Sequence, residues 1–252
     1  MEKKVVKRGI DLSKWNEVYE YDKLAKNIDF AMIRAGYGKG NEDIYAYRHY
    51  TGLEEYNIPI GLYWFSYASN EKEARNEAKY LLKFAYGKCI EYPLCFDFEK
   101  ESMLKKNLSA KQVNAIARAF LEEIEKAGYY AMIYTNKDFA DTIWSDELLH
   151  RYGVWYARYG EKYIENPGRE CQILQYSSTG EMEGIHGAVD LNVSYIDFKT
   201  LIKSKGLNGF FSDKEVNGGL NTDKNCCSCG CSCGCSCGCS CGCSCGCSCG
   251  KK

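Results

Sequence analysis

In the stretch Tyr92-Pro-Leu-Cys-Phe-Asp-Phe-Glu-Lys100, two carboxylates, Asp97 and Glu99, close a short apolar run. Side chains two apart on an extended chain share a face, so both acids would point the same way from positions roughly 6.6 Å apart along the backbone. Like charges so placed repel, and a wall of Leu94, Phe96 and Phe98 would lower the local dielectric. One of the two acids is therefore expected to keep its proton near neutral pH. A proton donor beside an anion is the pair that cleavage of a glycosidic bond requires. The alternative, on the motif alone, is a strand that ends in two solvated acids.

Such a pair has to be positioned by something, and the chain supplies alternating strands and helices. Short apolar runs rich in β-formers occur at 5–11, 30–35, 59–65, 94–99, 131–134, 154–157, 173–176 and 189–191, enough to close a barrel. Helices are signalled between the early runs. Asn70-Glu-Lys-Glu73 and Ser109-Ala-Lys-Gln112 both have capping-box form. After Ser109, the residues Val113, Ile116, Ala117, Phe120, Leu121 and Ile124 recur at helical spacing, and Gly128 stands where a C′ glycine belongs. Strand-then-helix order implies parallel strands with helices outside, while the later strands lie too close together for full crossover helices.

In such barrels functional residues gather at the C-terminal ends of the strands. Asp11 ends the first run, in Gly9-Ile-Asp-Leu-Ser-Lys-Trp15, and Asp190 sits in the last, in Val189-Asp-Leu-Asn192. Closure puts the first strand beside the eighth, so Asp11 and Asp190 join Asp97 and Glu99 on one rim. Tyr63, Tyr134, Trp155 and Gln175 lie at or near other strand ends and are expected to line the same opening, although each also has an ordinary structural reading.

Composition bounds the rest. A chain of 252 residues can bury one sizeable core. Lys plus Arg number 33 against 34 for Asp plus Glu, which gives no long-range pull toward nucleic acid or an anionic membrane. The longest apolar runs fall far short of a membrane span, and the leading Met1-Glu-Lys-Lys-Val-Val-Lys-Arg8 lacks the apolar core of a signal peptide. The 21 tyrosines offer flat rings of the kind on which sugars stack. Of 16 cysteines, only Cys89, Cys95 and Cys171 precede residue 226, so residues 1–225 are no disulfide scaffold. Cys95, inside an apolar run, reads as a small buried hydrophobe.

Residues 206–225, rich in Gly, Asn and charge, read as a linker, and residues 226–252 as a separate tail of Ser-Cys-Gly-Cys repeats that cannot build a core. Three readings of that tail are open: a disordered low-complexity segment, a thiolate site for zinc or copper, and a cross-linking segment. Its 13 cysteines are an odd number, which would leave one for a partner such as Cys89 or Cys171.

Taken together, Gly9-Ile-Asp-Leu-Ser-Lys-Trp15, Ile33-Arg-Ala-Gly-Tyr-Gly38, Ile60-Gly-Leu-Tyr-Trp-Phe-Ser-Tyr67, Phe96-Asp-Phe-Glu99, Trp155-Tyr-Ala-Arg-Tyr159, Leu174-Gln-Tyr-Ser-Ser178 and Val189-Asp-Leu-Asn192 resemble glycoside hydrolase family 25. These are the Chalaropsis-type lysozymes, or N-acetylmuramidases, found among phage endolysins, bacterial autolysins and some fungi. The match runs in order over roughly residues 5–203, with a departure at Trp64, where many relatives carry another residue.

The resemblance implies an α/β fold, an irregular, flattened (β/α) barrel of eight strands whose last strands lack helices. It also implies hydrolysis of the β-1,4 bond between N-acetylmuramic acid and N-acetylglucosamine in bacterial peptidoglycan. The family's acid maps onto Glu99 and its supporting carboxylates onto Asp11, Asp97 and Asp190. No metal or cofactor is expected for catalysis, and no nucleic acid or membrane insertion. Relatives commonly carry wall-binding repeats where this chain has its cysteine repeats. With a substrate outside the membrane and no visible signal peptide, the protein is expected to stay in the cytoplasm until a holin-type pore, lysis or non-standard export releases it. Other readings stay open at this stage: a hydrolase of chitin or another N-acetylglucosamine polymer, an inactive wall-binding protein, and a barrel that carries a metal-binding tail.

Overall fold

Each of the eight apolar runs becomes a strand of one closed barrel in the computed structural model, which describes residues 3–210. The strands are β1 (Lys7–Leu12), β2 (Phe30–Tyr37), β3 (Ile60–Phe65), β4 (Leu94–Asp97), β5 (Ala131–Asn136), β6 (Gly153–Ala157), β7 (Ile173–Gly180) and β8 (Val189–Ser194). Neighbours from β1 through β7 pair in parallel. The last strand, β8, instead runs antiparallel to both β7 and β1, which corrects the wholly parallel order expected from strand-helix alternation. The cause is the short return after β7. A chain without room for a crossover must reverse direction to pair again.

Seven helices accompany the earlier strands: α1 (Tyr21–Ala25), α2 (Ala46–Glu54), α3 (Glu71–Ala85), α4 (Lys100–Lys105), α5 (Ala110–Lys126), α6 (Lys137–Thr142) and α7 (Asp146–Arg151). Between β6 and β8 there is one 3-10 turn, Glu161–Tyr163, and no α-helix. The start of α5 is the anticipated capping box, with Ser109 and Gln112 each bonding the other's backbone N–H. At α3 the arrangement shifts by a residue: Asn70 accepts from the Glu73 N–H, but the Glu73 carboxylate reaches back to Ser69 rather than to Asn70. Val113, Ile116, Ala117, Phe120, Leu121 and Ile124 of α5 are buried as their spacing requires, each large one contributing about 1.5–3 kcal/mol of apolar burial.

The period of two along the strands divides the core into two shells. Leu62, Trp64, Leu94, Phe96 and Ile133 face the helices, whereas Met32, Tyr63, Cys95, Met132, Trp155 and Ile173 fill the barrel. Trp64 thus points away from the barrel interior; its indole N–H donates to the Gly38 carbonyl at 3.2 Å and its ring stacks on Tyr80. The departure at this position is a matter of helix packing. Helix α8 (Phe198–Ser204) stops the barrel's other end, where Phe198 and Ile202 meet Phe30 and Tyr92.

The expected boundary after residue 205 is also corrected. Asn208 is buried and donates through its Nδ2 to the carbonyls of Ile90 (2.9 Å) and Tyr92 (3.0 Å), while its Oδ1 accepts from the Tyr130 N–H at 2.8 Å. Leu207 and Phe210 pack against the interior shell. Residues 206–210, read as the head of a linker, are therefore part of the folded unit, because a side chain with both donor and acceptor can close three open backbone groups at the barrel floor. The rest of the expected linker and the cysteine repeats lie outside the described residues. Among the described residues no helix is long and apolar enough to cross a membrane.

Candidate active site

A cavity of about 310 Å³ opens where the parallel strands end. On β4 the alternation that turns Leu94 and Phe96 outward turns Cys95 and Asp97 inward. Phe98 continues the outward row, stacked on Phe96 at 6.0 Å, so Glu99 comes back to the cavity side. The strand itself ends at Asp97. Glu99 follows in extended backbone (φ −111°, ψ 166°) as the N-cap of α4, and its carboxylate makes no capping bond, which leaves it to the cavity. The two acids share a face as expected, but Leu94, Phe96 and Phe98 lie on the other one. The low dielectric around Asp97 is set by the barrel interior instead, by Tyr63, Cys95, Tyr134 and Trp155.

Asp11 ends β1 on the same rim. Asp190 sits near the start of β8, and because that strand is reversed its start lies at the rim, directly opposite Asp11. Asp190 thus reaches the rim from the N-terminal end of its strand, through the reversal of β8 and not through the C-terminal-end rule that suggested it. All four acids line the cavity, together with Tyr63, Tyr134, Trp155 and Gln175.

These last four are less free than their position at the opening implies. Gln175 Nε2 donates to Asp11 Oδ2 at 2.9 Å and to Asp190 Oδ2 at 3.3 Å, and its Oε1 accepts from the Tyr134 hydroxyl at 3.0 Å and the Tyr159 hydroxyl at 3.3 Å. Asn192 Nδ2 gives Asp11 Oδ2 a second donor at 2.8 Å, and Asn192 Oδ1 in turn accepts from the Trp155 indole N–H at 2.8 Å. Trp155 is almost wholly buried, with Tyr63 and Tyr134 edge-on to it at 5.6 and 4.9 Å. They make a floor whose polar atoms aim the acids, a network in which every bond fixes another.

Electrostatics follow from that burial. The Asp97 carboxyl is held well above the usual carboxylate range by desolvation, then by the nearby Glu99 and Asp11, against the pull of Arg34. Glu99 is exposed at the mouth, yet protein crowds one side of it; desolvation, then Glu101 and Asp190, push its proton affinity up as well. Asp11 is pushed well up by burial and then by Asp190, opposed by its bonds from Asn192 and Gln175. Asp190 is raised by burial and drawn back by its hydrogen bond with Asp11. All four carboxyls are shifted toward the protonated form, and ionising one makes ionising its neighbours harder, so a proton donor can stand beside an ionised partner, the requirement for acid-assisted displacement at an acetal.

The cavity also includes residues that sequence reasoning did not single out: Ser13, Trp15, Asn16, Arg34, Phe65 and Ala188. Trp15 is 76% exposed with Lys14 Nζ 4.6 Å from its ring centroid, so a flat aromatic face stands at the edge of the opening. The signal was available, since Trp15 and Arg34 fall within the quoted motifs, Trp15 just after β1 and Arg34 within β2.

Residues 10–185 match the family model "Glycosyl hydrolases family 25". Over 192 residues the chain is 29% identical to the uncharacterized protein YegX of Escherichia coli K12, a match that takes in 73% of this chain and 68% of YegX. It is 22% identical over 191 residues to the autolytic lysozyme of Clostridium acetobutylicum, covering 73% of this chain and 55% of that protein. Among solved structures it resembles the modular autolysin LytC from Streptococcus pneumoniae in complex with a synthetic peptidoglycan ligand. That likeness has 25% identity and a TM-score of 0.66, and covers 74% of this chain but 46% of LytC, about half of the autolysin's length.

Proposed function

The chain belongs to glycosyl hydrolases family 25, and from that premise we propose that it is a lysozyme that cleaves the β-1,4 bond between N-acetylmuramic acid and N-acetylglucosamine in bacterial peptidoglycan. One observation carries the reading: Asp97 and Glu99 enter one cavity side by side, and Asp97 Oδ1 is a buried acceptor with no partner in the protein. A buried acceptor left open is costly unless a ligand closes it. The amide N–H of a 2-acetamido sugar is a donor of the right kind.

Glu99 gives its proton to the glycosidic oxygen as the bond to C1 breaks. Asp97, in the ionised form that the Arg34 guanidinium favours against burial, takes the acetamido N–H and turns the acetamido carbonyl oxygen toward C1, where it bonds as the leaving group departs. Glu99, now a carboxylate, removes a proton from water, and the resulting hydroxide equivalent attacks C1 and reopens the ring. Asp11 and Asp190, aimed by Gln175 and Asn192, hold sugar hydroxyls or water beside the reacting carbon. The exposed face of Trp15 supplies a surface for an adjoining sugar.

The test is to digest purified peptidoglycan and chitin side by side and measure release of reducing sugar. Release from peptidoglycan alone supports the reading; release from chitin alone refutes it in favour of an N-acetylglucosamine polymer.

A further inference from the structure

Among the described residues, Arg34 is the one cation that lines the cavity. It lies on β2 as the register partner of Tyr63 on β3, and Asp97 on β4 is one strand further on, paired with Phe65. Its Nε donates to Asp43 Oδ2 at 2.7 Å, and Asp43 is itself fixed by the Lys14 N–H at 3.0 Å and the Tyr45 N–H at 2.9 Å. That tether orients the planar guanidinium and leaves Nη2 buried with no partner. Asp97 Oδ1 is in the same condition as an acceptor. An open donor and an open acceptor in one cavity are the negative image of a polar ligand.

The order of groups along a sugar ring gives that image a meaning, and this step rests on the function proposed above. With C1 facing Glu99 and the C2 acetamido N–H on Asp97, C3 continues away from Glu99. In N-acetylmuramic acid C3 carries a lactyl ether with carbonyl oxygen; in N-acetylglucosamine it carries a hydroxyl. We propose that Arg34 is a specificity-determining residue whose Nη2 donates to the oxygens of the 3-O-lactyl group, and so selects the muramic sugar at the cleavage site. A charged donor that loses its acceptor in a dry site penalises the wrong sugar more than a neutral contact would.

The experiment is binding calorimetry in the slow Glu99→Gln background, with two probes of equal length: an alternating N-acetylmuramic acid/N-acetylglucosamine tetrasaccharide and chitotetraose. Arg34→Lys keeps a cation for Asp43 but lacks the second arm of the fork, so it should fold and lose about tenfold of the preference for the muramic ligand, with chitotetraose affinity changed less than about threefold. The pair Arg34→Gln with Asp43→Asn removes both members of the ion pair at once and should lose the preference likewise. Equal weakening of both ligands, an unchanged preference, or no preference in Glu99→Gln itself would each overturn the inference. None of these touches the identity of the bond cleaved, which the products of the wild-type enzyme report separately.

Discussion

Asp11 and Asp190 are register partners across the antiparallel pair β1–β8, and a single amide nitrogen, Gln175 Nε2, donates to both, at 2.9 and 3.3 Å. The two acids are not equivalent. Asp11 is buried and takes a second donor from Asn192, whereas Asp190 is half-exposed. Both donors end on the single oxygen Asp11 Oδ2, which an Asn oxygen could replace only as a weaker, neutral acceptor, and the Asn NH2 group would add a donor where the carboxylate had an acceptor, so the aim of the whole floor suffers. We expect kcat/KM on soluble glycan fragments to fall about 10²-fold in Asp11→Asn and nearer tenfold in Asp190→Asn. A larger loss in Asp190→Asn would contradict this ordering.

Glu77 on α3 ties down the turn after β3: its carboxylate accepts from Ser66 Oγ at 2.5 Å and from the Tyr67 N–H at 3.1 Å, and burial pushes its pKa up to about 7. In the unfolded chain the group titrates near about 4.3. Between those values the folded chain holds a proton that the unfolded chain has released. Its contribution to stability is therefore complete below about 4.3 and is lost as pH rises through about 7. Glu77→Gln removes the titration, so the Tm of the variant should gain on that of the wild type from pH 4.5 to pH 8. A constant Tm difference over this range would show that Glu77 does not titrate as stated.

Trp15 is exposed, with the Lys14 ammonium against its ring, so Trp15→Ala should change Tm little. If the ring carries a neighbouring sugar, KM for glycan fragments rises about five- to tenfold while kcat changes less than about twofold. An unchanged KM would remove Trp15 from the binding surface.

The folded unit ends later than the composition of residues 206–225 implies, and truncation exposes the difference. A chain ending at 210 should match the full protein in Tm and in cleavage of soluble fragments. A chain ending at 205 loses Asn208 and uncovers three backbone groups at the barrel floor. Loss of about 2 kcal/mol or more in a denaturant titration is expected for it, and for Asn208→Ala in the full chain. Equal stability of the two truncations would return the boundary to 205.

The strands and helices were legible because period-two and helical spacing are local properties, and the rim position of the acids followed from them. The direction of β8 was not, since it depends on how much chain is left after β7 rather than on the residues of β8. Nor was the role of Gln175 and Asn192, whose partners lie up to 181 residues away and meet only on closure. Asn208 escaped notice for a related reason: Asn among Gly and Lys looks like a linker until its side chain is seen closing three open backbone groups on two other segments. Leu94, Phe96 and Phe98 were read as the wall of the site when the pleat sends them to the other face.

The central claim concerns which bond is cut, and the products settle it. Purified peptidoglycan is digested with the full protein, the new reducing ends are reduced with borohydride, and the fragments are identified by mass spectrometry, with Glu99→Gln as the control. Our account predicts N-acetylmuramitol ends, produced by the wild type and lowered about 10²–10⁴-fold in Glu99→Gln. N-acetylglucosaminitol ends, or undiminished product from Glu99→Gln, would contradict it.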